Sequence, residues 1–396
     1  MPPPGHPTFP AAGSSSPDQH EPARRRTLTT PAPSPLDTPW QTPPDAQDLV
    51  REAVEWHFNP KTGSRFWLER ARTLDFNPLT DVHTVEDLTL FPNVVDELRH
   101  IPVEDMVPQG YASIAGITAR PLVGESGGTT GRPKRIYSLP DVLNSSWRWY
   151  WSRLREHDMP TGRNWLGVVP MGPHMIGTLT QDAAAEFGGI YFPLDLDPRW
   201  AKRCVASGSA EAVKGYVNHL VDQVEWILTT QDIGLIAATP PLLQAICTRE
   251  HLVDIINERV HTITWSGASM DADTAELMAT EVFPEVNIIG IYGSAMIFCG
   301  IPQRPGGGRT DPAIFDPPSP FSMFGLLDPE TGGSVPYGER GQLVSHHMTR
   351  NLFLPNNLER DTAIRHEHGL GYAGDALSEV RPVEEFGSAK VIEGVY

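Results

Sequence analysis

The chain has 396 residues, with 31 Lys plus Arg against 49 Asp plus Glu, for a formal net charge of −18. That acidity argues against nucleic acid or an anionic membrane as the main partner, because both are polyanions, and leaves room for a local basic pocket. Cys204, Cys247 and Cys299 are odd in number and far apart, which excludes a disulfide scaffold and a CxxC metal site and suits a reducing cytoplasm. No apolar run reaches the roughly 18 residues of a membrane span, and the first residues lack the apolar core of a secretory leader.

Residues 1–44 carry 13 of the 39 prolines, with Ser, Thr and Ala and no aliphatic periodicity. Such a segment buries too little apolar surface to offset its ordering entropy, so a disordered tail is expected there, Arg24-Arg25-Arg26 being a solvated charge cluster. Globular patterning starts at Asp45, which sets the expected domain at 45–396. A helix begins at Asp45-Ala46-Gln47-Asp48, and Phe66, Trp67, Leu68, Ala71 and Leu74 predict a second. Helices are then expected over 140–157, 220–229, 241–247, 252–258 and 273–282. Strands are expected over 166–169, 189–192, 235–238, 262–265, 286–291 and 342–345. This alternation predicts an α/β domain with a largely parallel sheet. Residues 303–320 are rich in Gly and Pro and are expected to form a long loop.

Ser126-Gly127-Gly128-Thr129-Thr130-Gly131-Arg132-Pro133-Lys134 is the segment with the most chemistry in it. Three glycines let the backbone turn tightly and gather its N–H groups into a nest for an anion. The threonine hydroxyls add donors, and Lys134 adds a point charge for a phosphate. GxxxxGK[ST] does not fit, so this is not a Walker loop. A plain hairpin tip is the bland alternative.

This nonapeptide resembles the phosphate loop of the adenylate-forming enzymes: acyl-CoA synthetases, peptide-synthetase adenylation domains and luciferases. Further segments resemble that superfamily in its order. Pro173-His174-Met175-Ile176-Gly177 is similar to the segment beside the acyl pocket, and Trp265-Ser266-Gly267-Ala268 to the strand end and turn that pack on the nucleotide. Tyr292-Gly293-Ser294-Ala295-Met296 falls where the superfamily has YGxTE, and 338–343 where it has GExGEL. Tyr372-Ala373-Gly374-Asp375 resembles a shortened YxTGD. Residues 81–102 read most like the phenylacetate–CoA ligase branch. The likeness runs from about Val50 to Asp375.

The resemblance implies the large domain of that superfamily, with parallel-rich sheets flanked by helices and a smaller β subdomain. It implies ATP-dependent activation of a small carboxylic acid as acyl-adenylate, with ATP/AMP and Mg²⁺ as cofactors and CoA, a carrier protein or an amine as acceptor. The 126–134 loop would hold the β- and γ-phosphates through Ser126, Gly127, Gly128, Thr129, Thr130, Gly131 and Lys134. Ser266, Gly267, Ala268, Tyr292, Gly293 and Ser294 would pack on the nucleotide, Asp375 would bind the ribose, and His174 would border the acyl group. His174 and Lys134 are the catalytic candidates. An aryl or acyl acid is favoured over an α-amino acid, because no Asp stands near His174 to pair an α-ammonium.

Two departures set against this the alternative of a degenerate, non-catalytic nucleotide-binding or scaffold member. The YGxTE glutamate, which holds the magnesium, is here Met296, a soft thioether and a poor ligand for a hard cation. The sequence also ends at Tyr396, about where the hinge of a small C-terminal domain would start. That domain is therefore expected to be absent or supplied by a separate protein. His346-His347 and His366-Glu367-His368 lack ligand spacing, so no protein metal site is expected.

Overall fold

The structure, a computed structural model, describes residues 33–111, 122–127, 132–383, 385–386 and 389–390. Most of the expected disordered tail, and residues 128–131 of the phosphate loop, lie outside the described residues. From Ser34 on, however, the chain packs as part of the domain, so the expected tail boundary at residue 44 falls too late. Leu36 and Trp40 are buried, and the Trp40 ring stacks on Phe321 at 5.0 Å. Asp37 accepts two hydrogen bonds from Arg350, at 2.5 and 2.6 Å. One tryptophan and one leucine anchor a segment whose composition alone looks unstructured.

Asp45 caps the first helix, Ala46–Phe58, by accepting from the N–H groups of Gln47 and Asp48. That helix carries Phe58 into an aromatic cluster with Trp67, Phe91 and Phe353. A hairpin follows, β1 (Leu122–Glu125) with β2 (Arg135–Ser138), which frames the 126–134 loop. The helix Pro140–Leu154 leads into a six-stranded sheet of order β4-β3-β5-β6-β7-β8. Its members are β3 (Asn164–Val168), β4 (Tyr191–Pro193), β5 (Ile233–Ala238), β6 (Thr262–Trp265), β7 (Asn287–Ser294) and β8 (Cys299–Pro302). All neighbours are parallel except β7 and β8. Ile-Gly-Leu-Ile-Ala-Ala of β5 is buried throughout, as a strand covered on both faces must be.

A second, antiparallel sheet has the order β10-β11-β12-β13-β9. It is built from β9 (Ile314–Phe315), β10 (Ser322–Leu327), β11 (Arg340–Met348), β12 (Phe353–Glu367) and β13 (Asp375–Pro382). Strand β9 lies inside the stretch expected to be loop; its two residues pair with β13 because Phe315 is buried under Tyr292 and Trp265. Helices Met175–Glu186 and Pro198–Ala206 were not expected from periodicity. The first is rich in Gly, Thr and Ala, residues that give a helix little amphipathic contrast. Among the described residues no helix is long and apolar enough to cross a membrane.

Candidate functional site

Parallel strands place their carboxyl ends along one edge of the sheet, and in open α/β sheets ligands bind in the crevice there. Val169 and Pro170 after β3, Thr239 after β5, Ser266 and Gly267 after β6, and Gly293 and Ser294 at the end of β7 all line one cavity of about 240 Å³. A second cavity, of about 400 Å³, lies alongside and is lined by Trp265, Ala268, Tyr292 and Phe315 among others. Gly267, Ile291, Gly293, Arg360 and Asp361 line both. The cleft is therefore a pair of chambers with a common junction.

The smaller chamber collects the phosphate-loop stem and the acyl-side residues. Ser126 closes the base of the loop twice: its N–H donates to the Lys134 carbonyl at 3.0 Å, and its Oγ accepts from the Lys134 N–H at 2.9 Å. Lys134 lines the chamber, its ammonium 3.5 Å from Asp96. His174 stands at the N-terminus of the helix Met175–Glu186 and is 9% exposed. Burial, then the nearby Arg199, pushes its imidazole down from the ordinary range, so it is neutral at pH 7. Its Nε2 and the Thr239 Oγ1 are buried with no hydrogen-bond partner among the described residues. Buried polar atoms left unsatisfied cost free energy, and their place in a cavity wall marks where a polar ligand would be held. Trp147, Val169, Ile176, Leu179 and Phe298 supply an apolar wall. Cys299 also lines the chamber, buried, with its thiol pushed up by burial.

Tyr292 faces the larger chamber, its ring 5.8 Å from Phe315 and 5.9 Å from Phe324. Gly267 turns the chain after β6 at φ +81°, and an added Cβ would reach Thr239 Cγ2 at 3.4 Å. Ala268 continues this wall, and Ser266 and Ser294 belong to the smaller chamber.

Asp375 is elsewhere. It opens β13, is 5% exposed, and accepts from Arg365 Nε at 2.9 Å. Arg365 also donates to the Val335 carbonyl and lies over the Tyr337 ring. Asp375 lines neither chamber.

The carboxylate at the junction is Asp361, with Oδ2 3.5 Å from the Tyr292 hydroxyl. It comes from a bulge that periodicity did not reveal. Gln342 on β11 pairs with Thr362 and Val344 with Leu358, so Glu359, Arg360 and Asp361 stand opposite Leu343 alone. Regular strand alternation would send Arg360 to the opposite face from its neighbours. The bulge instead turns all three into the smaller chamber, a use to which bulges near active sites are commonly put. A signal was present: three consecutive charges, Glu-Arg-Asp, interrupting a strand that is otherwise half-buried.

Glu359 accepts from Asn357 Nδ2 at 2.6 Å and from the Ser294 and Ser345 hydroxyls at 3.4 Å, all on Oε1. Burial raises its carboxyl above the ordinary range, and Lys134 acts against that. The donor set does not suit a protein-held magnesium of the kind the resemblance implies. Met296 is a buried thioether, Glu359 has its Oε1 taken by three donors, leaving Oε2 alone, and among the described residues no group of three or more His, Cys, Asp or Glu could hold a metal ion. The paired histidines serve the second sheet: His347 bonds Ser322 and Thr349, and His368 bonds the Pro317 carbonyl.

No protein-family model and no curated protein matches the sequence. Solved structures do match in shape. The chain is similar to 2-hydroxyisobutyryl-CoA ligase in the postadenylation state in complex with 2-HIB-AMP, with a TM-score of 0.60 and 15% identity over 88% of this chain and 70% of that one. An open conformation of the same ligase with 2-HIB-AMP and CoA gives a TM-score of 0.58 and 15% identity over 84% and 67%. The fold is the one seen in these ligase structures, of which the chain spans 67–70%. In this fold the two chambers lie at the carboxyl edge of the parallel sheet, with the antiparallel sheet supplying Glu359, Arg360 and Asp361.

Proposed function

We propose that this chain activates a carboxylic acid with ATP, forming an acyl-adenylate and releasing pyrophosphate. The observation that carries the reading is the junction: a chamber walled by Tyr292, Gly267 and Ala268 meets one holding the loop stem, Lys134, His174 and an apolar wall. The flat Tyr292 ring suits adenine. Asp361, beside that ring, takes the ribose hydroxyls in place of Asp375, since a carboxylate accepts from two hydroxyls at once. The 126–134 loop holds the β- and γ-phosphates. Neutral His174 borders the acid, its Nε2 available to a carboxylate or acyl oxygen.

The apolar wall favours an aryl or acyl acid over an α-amino acid; of the three carboxylates lining that chamber, Glu125 is engaged by Arg135 and Arg199, Glu359 accepts from Asn357, Ser294 and Ser345, and Asp361 lies beside Tyr292. CoA, a carrier protein or an amine serves as acceptor, and the likeness of residues 81–102 to the phenylacetate–CoA ligase branch supports CoA among them. Chemistry of this kind is mainly positioning and charge stabilisation. The test is ATP–pyrophosphate exchange across a panel of aryl, acyl and α-amino acids. Exchange with aryl or acyl acids is expected; exchange confined to α-amino acids would overturn the substrate class.

Met296 favours a second reading, a nucleotide-binding member that does not adenylate. Tight ATP binding without exchange for any acid would establish it.

A further inference from the structure

Among the described residues, Arg360 is the one cation that lines both chambers. Its guanidinium is weakly engaged: Nε is 3.5 Å from Asp361 Oδ1, and Nη1 is buried with no hydrogen-bond partner among the described residues. A buried donor without an acceptor is costly unless a ligand completes it. The Lys202 ammonium is pushed down to about 8 by burial and by the Arg360 guanidinium, which sets two cations close together behind the chamber wall. Glu359, the neighbouring carboxylate, is occupied by Asn357, Ser345 and Ser294.

We infer that Arg360 binds the α-phosphate, the group on which the reaction occurs, and supplies charge there in a site whose own residues do not suit a magnesium ion. This rests on the adenylation reading above. The junction between the nucleoside chamber and the acid chamber is where that phosphorus must lie. A carboxylate oxygen of the acid attacks it and forms the acyl O–P bond. The bond from phosphorus to the bridging oxygen breaks, and pyrophosphate leaves with that electron pair. Negative charge on the non-bridging oxygens meets a planar, permanently charged fork of N–H donors. Arg360 thus acts on a phosphate that AMP and ATP share, whereas Lys134 acts on phosphates that only ATP carries.

The experiment is calorimetric titration of adenosine, AMP and ATP, with and without EDTA, into the unsubstituted chain and into Arg360→Gln, Arg360→Lys and Lys134→Ala. Arg360→Gln is expected to weaken AMP and ATP about tenfold to a hundredfold and adenosine less than threefold, with or without EDTA. Arg360→Lys keeps the charge and loses the fork, so it should fall between the two, and it carries the test if the glutamine variant does not fold. Lys134→Ala should weaken ATP alone. An equal loss for adenosine would show that Arg360 only positions Asp361 and would overturn the inference, as would no loss for AMP. If the unsubstituted chain binds AMP normally, those outcomes leave the adenylation reading standing. If it binds none of the three ligands, both fail.

Discussion

Exchanging the fates of two aspartates separates the site from its scaffold. Asp375 is 5% exposed and pairs at 2.9 Å with Arg365, whose side chain is 20% exposed. Asp375→Ala leaves that guanidinium without its carboxylate. Breaking a buried pair costs about 3–5 kcal/mol. Arg365 keeps the Val335 carbonyl and the Tyr337 face, which places the loss near the lower end, about 3 kcal/mol. For a domain of this size that is a fall in Tm of roughly 5 °C. Nucleotide binding by the folded protein should stay within a factor of about two to three of the unsubstituted value, because Asp375 touches neither chamber. Asp361→Asn should do the reverse. The shape is kept, and the contacts to Tyr292 and to Arg360 are both long at 3.5 Å, so Tm should fall less than in Asp375→Ala. Two ribose hydroxyls lose a charged acceptor, so adenosine, AMP and ATP should all weaken by about tenfold or more. Thermal unfolding and calorimetry on the same preparations read both quantities. Loss of nucleotide binding in Asp375→Ala with Tm unchanged would refute this reasoning and return the ribose to the Tyr-Ala-Gly-Asp segment.

Other expectations follow from the same contacts. Lys134→Ala should weaken ATP by about 1.5–3 kcal/mol and AMP hardly at all, with stability unchanged because its partner Asp96 is exposed; equal losses would place Lys134 on the α-phosphate. Trp40→Ala should cost about 3–5 kcal/mol in denaturant unfolding, since the ring is buried and stacked on Phe321; a neutral result would mean that residues 34–44 do not hold to the domain. Burial lowers His57 and His346 to about 4 and His347 to about 3. Between those values and the unfolded value of about 6.5 the unfolded chain binds more protons than the folded one, so stability rises with pH across that window. It should fall as pH drops from 6.5 towards 4, and a double substitution of His57 and His347 by Gln should flatten that slope; an unchanged slope would mean that carboxylates govern the acid limb.

The parallel sheet was legible in the sequence because strands covered on both faces leave continuous apolar runs, as Leu-Ile-Ala-Ala of β5 shows. Its carboxyl-end residues, Ser266, Gly267, Tyr292 and Gly293, were legible through resemblance and do line the cleft. The antiparallel sheet was largely hidden. Strand β12 reads Pro-Asn-Asn-Leu-Glu-Arg-Asp-Thr, which has no clean alternation, and its bulge depends on pairing with β11, a contact that local sequence does not encode. For the same reason the sequence pointed to Asp375 in Tyr372-Ala373-Gly374-Asp375 and gave no sign of Asp361, the aspartate that lines the cleft and for which we propose the ribose role. Thr239 gave no sequence signal; one threonine after an apolar strand is unremarkable until the neighbouring strand ends are assembled. Trp40 was masked by the prolines around it.

The central claim is that this cleft joins a carboxylate to the α-phosphate of ATP. Single-turnover mixing of excess protein with ATP labelled at the α-phosphate and an aryl or acyl acid tests it most directly. The account predicts labelled acyl-adenylate in proportion to cleft concentration, dependent on the acid and lost in Asp361→Asn. Label recovered as unchanged ATP with every acid, while the protein binds ATP, would contradict it.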